Sequence, residues 1–188
     1  MRLTTITLVL AVCTLLIGCK SPTSPLTQEE EKLVGKYYVT MSKDMEQTDK
    51  TPAMSIMLEG YNKYDSDRMC KMEGTILLVI KSLKELKQLA VTLEYHISAE
   101  GTWRIENGYI KGTTDPQSIE FKLAKSNAET KEAKMFMELI ESTSPIETFK
   151  IKELFMQAEG DDIKIIELTD EKLVIEQEGE QITMAKIK

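Results

Sequence analysis

The chain has 188 residues, of which 24 are basic and 31 acidic, giving a formal net charge of −7. An acidic surface argues against nucleic acid or anionic lipid headgroups as the main partner and leaves cationic partners open. The length suits one domain that can bury a real core.

The first segment is a leader. Arg2 supplies a positive charge, and Leu3 to Ile17 form an apolar stretch interrupted only by threonines and Cys13. That stretch of about 15 residues is shorter than the ~20 a bilayer-spanning helix needs, and it fits a signal-peptide core. It ends in Leu16-Ile17-Gly18-Cys19, which resembles the lipobox of bacterial lipoproteins. The resemblance implies that residues 1–18 are removed and that the Cys19 thiol, the strongest nucleophile available near neutral pH, is alkylated by a diacylglycerol. Two acyl chains at roughly 0.8 kcal/mol per buried CH₂ make a lasting anchor. Lys20, not aspartate, follows the cysteine, and in such lipoproteins this leans toward the outer membrane of the cell envelope. Losing Arg2 makes the mature chain one unit more acidic.

Residues 19–30 read as a lipidated tether. Ser21 to Leu26 contains two prolines and three hydroxyl residues, an extended composition. Thr27 and Glu30 are spaced as a capping box, predicting a short helix to Val34 with Gly35 as its stop.

Residues 31–188 read as a single domain that is mainly β. Tyr37-Tyr38-Val39 opens the first strand, and the polar residues Lys43 to Pro52 predict a loop. Met54 to Tyr64 and Arg68 to Ile80 are strand candidates around an Asp65-Ser66-Asp67 turn. From Leu89 to Ile97 apolar residues alternate with others, the period of a half-buried strand. Leu77, Ile80, Leu83, Leu86 and Ala90 also fit a helical stripe, so a helix over 76–90 competes with two strands joined at Ser82 to Gln88.

Two hairpins are predicted with their register. Asn107-Gly108 suits a two-residue type I′ turn, which pairs Ile105 with Ile110 and Trp103 with Gly112 on one face. Glu178-Gly179 pairs Ile175 with Ile182 and Leu173 with Met184, with Glu171 opposite Lys186. A slip of one residue would scatter these side chains over both faces. Asp162 to Leu168 is a further strand, and Phe149 to about Gln157 another extended run. One late helix is predicted between the capping box Ser126/Glu129 and Ser144-Pro145, with Ala128, Met135, Phe136, Leu139 and Ile140 on its apolar side.

Three stretches, Leu33-Val34-Gly35-Lys36-Tyr37, Gly101-Thr102-Trp103-Arg104-Ile105 and Leu168 to Ile175, resemble the lipocalin-like lipoproteins of Gram-negative bacteria. Tyr37 stands where lipocalins usually carry tryptophan. The resemblance implies an antiparallel barrel that binds a small hydrophobic ligand or lipid, with a cavity near Tyr37, Tyr95 and Trp103. A closed barrel and a more open barrel or sandwich both fit the pattern. The alternative, motivated by the acidity, is an envelope protein-interaction module or an inhibitor of a cationic enzyme such as lysozyme.

Catalytic chemistry is not expected. The single histidine, His96, lies on the polar side of its strand with no partner at metal-site or base spacing. Asp65-Ser66-Asp67 lacks the further ligands of a calcium loop. No phosphate loop, serine elbow or Cys-x-x-Cys occurs, and no cofactor is implied. With Cys13 lost and Cys19 lipidated, Cys70 has no disulfide partner and reads as a small buried hydrophobe.

Overall fold

A computed structural model of the chain describes residues 24–46, 53–82, 91–128, 130–135, 138, 162–177 and 179–187. Cys19 and the leader, the end of the late helix and the extended run at 149–157 lie outside the described residues.

A one-turn helix, α1 (Gln28–Leu33), opens the domain, and its capping box forms as the spacing predicts. The Glu30 amide donates to Thr27 Oγ1 at 3.2 Å, and the Thr27 amide donates to Glu30 Oε2 at 2.8 Å. Among the described residues nine strands follow: β1 (Gly35–Met45), β2 (Ala53–Tyr64), β3 (Met69–Ser82), β4 (Val91–Glu106), β5 (Tyr109–Thr114), β6 (Glu120–Ala128), β7 (Ile163–Leu168), β8 (Lys172–Gln177) and β9 (Glu180–Ile187). Eight of them close a ring in the order β1-β2-β3-β4-β5-β7-β8-β9 and back to β1. The protein is therefore mainly β, a closed antiparallel barrel. β6 continues the line of β5 and pairs with the first half of β4.

Both hairpin registers form as predicted. Trp103 faces Gly112 and Ile105 faces Ile110 across β4 and β5. Asn107 and Gly108 adopt φ of 54° and 79°, the left-handed pair that the turn demands. Leu173 faces Met184, Ile175 faces Ile182, and the Lys186 amide donates to the Glu171 carbonyl at 2.7 Å.

Alternation sets the two faces of each strand. Val91, Leu93, Tyr95 and Ile97 of β4 are buried, while His96 faces solvent. Strand β3 continues through Ser82, which excludes a helix over 76–82.

Three expectations are corrected. β1 runs on to Met45, into the segment predicted as a loop from Lys43. β6 extends to Ala128, so Ser126 is a strand residue and does not cap the late helix. That helix begins at 131, and Thr130 caps it: its hydroxyl accepts from the Ala133 amide at 3.1 Å. Ala133 is buried in this helix, while Met135, predicted on its apolar side, is 62 % exposed.

Gly60 of β2 faces Gly74 of β3, and the two backbones approach closely there. A Cβ on Gly60 would sit 2.5 Å from the Glu73 carbonyl oxygen and 2.8 Å from Gly74 Cα. These are backbone atoms, so no side-chain rotation relieves the clash. Gly60→Ala is expected to destabilise the domain by about 1–3 kcal/mol, the usual cost of overpacking, measurable by urea unfolding. A Gly60→Ala variant as stable as the parent would show that the two strands part freely.

Candidate functional site

The two ends of the barrel are built differently. At the α1 end the interior is plugged. Tyr37 and Trp103 both meet the Tyr64 ring edge-on, at centroid distances of 5.9 Å and 5.6 Å. Such T-shaped pairs satisfy the ring quadrupoles and bury large apolar area. The Trp103 indole N–H donates to the carbonyls of Met69 at 3.0 Å and Asp65 at 3.2 Å. The Tyr37 hydroxyl donates to the Lys32 carbonyl. Burial, with the Asp170 charge adding to it, pushes that phenol up to about 12, so it remains a donor.

A buried ion pair seals this plug. Arg68 Nη2 and Nε donate to the two Glu30 oxygens at 2.9 Å and 3.1 Å. Both side chains are almost wholly excluded from water. Glu30 Oε1 also accepts from the Ile105 amide. Arg68 Nη1 and Nη2 also donate to the Ser24 and Pro25 carbonyls, at 2.9 Å and 3.2 Å. Burial alone would raise the Glu30 carboxyl, but the bonds from Arg68, Thr27 and Ile105 outweigh it and hold the group below its ordinary 4.5. Arg68 itself adopts φ of 64° in the β2–β3 turn, a strained backbone for a long side chain.

Toward the opposite end the interior is less closed. Along β2 the inward positions run Tyr64, Asn62, Gly60, Leu58, Ile56 and Met54, away from the plug. The inward Met54, Met41, Ile76 and Leu78 stay partly exposed, as do Phe121 and Leu123 of β6. Beyond them a second packed cluster joins Ile80, Val91, Leu93 and Tyr95 to Ala133 of the late helix. The partly exposed side chains form an apolar patch between the two packed regions. Asn62, between plug and patch, is fully buried; its amide nitrogen reaches Met184 Sδ at 3.7 Å, and its carbonyl oxygen has no hydrogen-bond partner among the described residues.

The three aromatic residues predicted to line one cavity are all buried, but they separate. Tyr37 and Trp103 belong to the plug. Tyr95 stacks on Phe121 with ring centroids 4.5 Å apart, bordering the apolar patch. Sequence reasoning missed Arg68 as the partner of Glu30, and missed Phe121 and Leu123 with their strand. Cys70 is buried, and burial pushes its thiol well above the usual range, so it packs as a hydrophobe. Among the described residues, no group of three or more His, Cys, Asp or Glu side chains could hold a metal ion. Among them too, no helix is long and apolar enough to cross a membrane.

The outer face carries a groove of about 660 Å³ across β1 to β4. Tyr38, Met57, Tyr61 and Leu77 supply its apolar surface, and Glu59, Glu73 and Glu94 its charge. The Tyr38 hydroxyl donates to Glu59 Oε1 at 2.8 Å, and the Tyr61 hydroxyl donates to Glu73. Gly60 and Gly74, which carry no side chains, form its floor.

No protein-family model matches the sequence, and no curated protein is significantly similar to it. The closed antiparallel barrel is compatible with a ligand-binding domain of the calycin kind.

Proposed function

We propose that this chain is a lipocalin-like lipoprotein of the cell envelope, anchored through Cys19 in the outer membrane, whose barrel binds a small hydrophobic ligand or lipid. The anchor rests on the leader and the Leu16–Cys19 motif. The binding role rests on one observation above all: the barrel is plugged at its α1 end, while inward apolar side chains toward the other end stay partly exposed. Binding sites of this kind are mostly apolar, with a few placed polar groups. Asn62 supplies one such group, since its buried carbonyl oxygen would accept from a hydroxyl or amide on the ligand's leading end.

Titration of residues 20–188 with a neutral naphthylamine fluorophore tests this. Leu78→Glu, which sets a charge in the patch, is expected to weaken binding by about tenfold or more. Phe substituted for Trp103, in the plug, should leave it unchanged. Absence of binding, or a Leu78→Glu variant that binds like the parent, would sink the proposal.

A further inference from the structure

We infer that the outer groove on β1 to β4 is a second binding site, for an extended peptide segment of a basic protein carrying lysine or arginine beside an apolar residue. It is separate from the interior, because its lining side chains alternate with the inward ones on the same strands. Thr40, Glu59, Thr75 and His96 form one outward row across the sheet, and Met57, Leu77 and Glu94 form the next. A peptide laid across these rows meets carboxylate and apolar positions side by side.

Charge complementarity selects the occupant. Among the described residues the groove is lined by three glutamates and no lysine or arginine, and the nearest cation to its aromatic wall is Lys36, whose Nζ lies 3.3 Å from the Tyr61 ring centroid. Two of the glutamates are paired from outside it, Glu73 with Lys71 at 2.7 Å and Glu94 with Lys125 at 3.5 Å. Glu59 has no cationic partner among the described residues; it accepts a hydrogen bond from the Tyr38 hydroxyl. That bond holds the carboxylate in place and leaves lone pairs for a guanidinium or ammonium. The apolar half of the match is Met57, 46 % exposed, and Tyr38, 36 % exposed. They flank Glu59 on either side along the sheet, Tyr38 in the row of Tyr61 and Met57 in the row of Ser42, and exposed methionine and tyrosine are the adaptable and rigid parts of a peptide-binding surface. The volume is ample for two or three side chains.

The test is calorimetric titration of the full chain, in nonionic detergent, with acetyl-Lys-Leu-Lys-Leu-Lys amide, against the same peptide with glutamate for lysine. The basic peptide is expected to bind, with affinity falling as salt rises, and the acidic one is expected not to. Glu59→Lys and Met57→Lys should each weaken binding by about tenfold, and both side chains are exposed, so folding is not at stake. Glu171→Lys makes the same charge change in the β7–β8 turn and should alter affinity by less than about twofold. Equal losses in Glu59→Lys and Glu171→Lys would reduce the effect to overall charge and overturn the site. Binding of neither peptide would overturn it as well. The naphthylamine titration is unaffected by either outcome, so the two sites fail or stand separately.

Discussion

Glu30→Ala is expected to destabilise the domain by about 3–5 kcal/mol, the cost of removing one partner from a buried ion pair. Arg68 would keep its charge among α1, the β2–β3 turn and β4, at a site where its side chain is 6 % exposed. The Ile105 amide would lose its acceptor, and Thr27 half of its capping box. Replacing both partners at once, as in Glu30→Leu with Arg68→Met, should cost less than the two single changes together, because no charge is then stranded. Chemical unfolding of the four proteins measures this coupling. Additive losses would show that the pair is not the seal.

The same pair sets an acid dependence. The native Glu30 carboxyl titrates below its ordinary 4.5, so as pH falls the unfolded chain takes up the proton first. The stabilisation is complete above the unfolded value and is lost as pH drops through the native one. Glu30→Gln should flatten the pH profile of stability in that acid range.

Trp103→Ala is expected to cost about 3–5 kcal/mol. The indole is 2 % exposed and faces Gly112, which has no side chain to fill the space. Its loss would also take one of two donors from the Met69 carbonyl, which keeps the Asp65 amide, and one of two from the Asp65 carbonyl, which keeps the Arg68 amide, and would leave the Tyr64 ring without its edge contact to the indole. Trp103→Phe keeps a ring but no N–H, and should lose less. Circular dichroism follows both, since the variants lack the only tryptophan. A Trp103→Ala loss under about 1 kcal/mol would mean that the plug repacks around the gap.

Local chemistry made most of the strands legible. The Asn107-Gly108 turn demands positive φ at two positions, and that fixes which residues face each other on either side. Strand β6 was hidden because its residues Glu120 to Ala128 are largely exposed, so their apolar alternation is weak, and Ser126 with Glu129 imitates a helix start. Thr130, the true cap, has alanine at the third helical position and therefore no capping-box signature. The ion pair was hidden for a different reason. Glu30 already has a complete local explanation as the third residue of α1, and Arg68 lies 38 positions away. Likewise no local pattern tells that Tyr37 and Trp103 meet through Tyr64 while Tyr95 lies elsewhere. Such groupings arise from closure of the ring.

Arg68 does one thing more. It holds the Ser24 and Pro25 carbonyls against the domain, and Ser24 is five residue steps from Cys19. Fully extended, they span no more than about 18 Å. With Cys19 lipidated as proposed, the plugged end rides close to the bilayer and the apolar patch is turned toward the aqueous compartment. A ligand would then reach the barrel from across that compartment, and the protein would act as a receiver facing away from its own membrane.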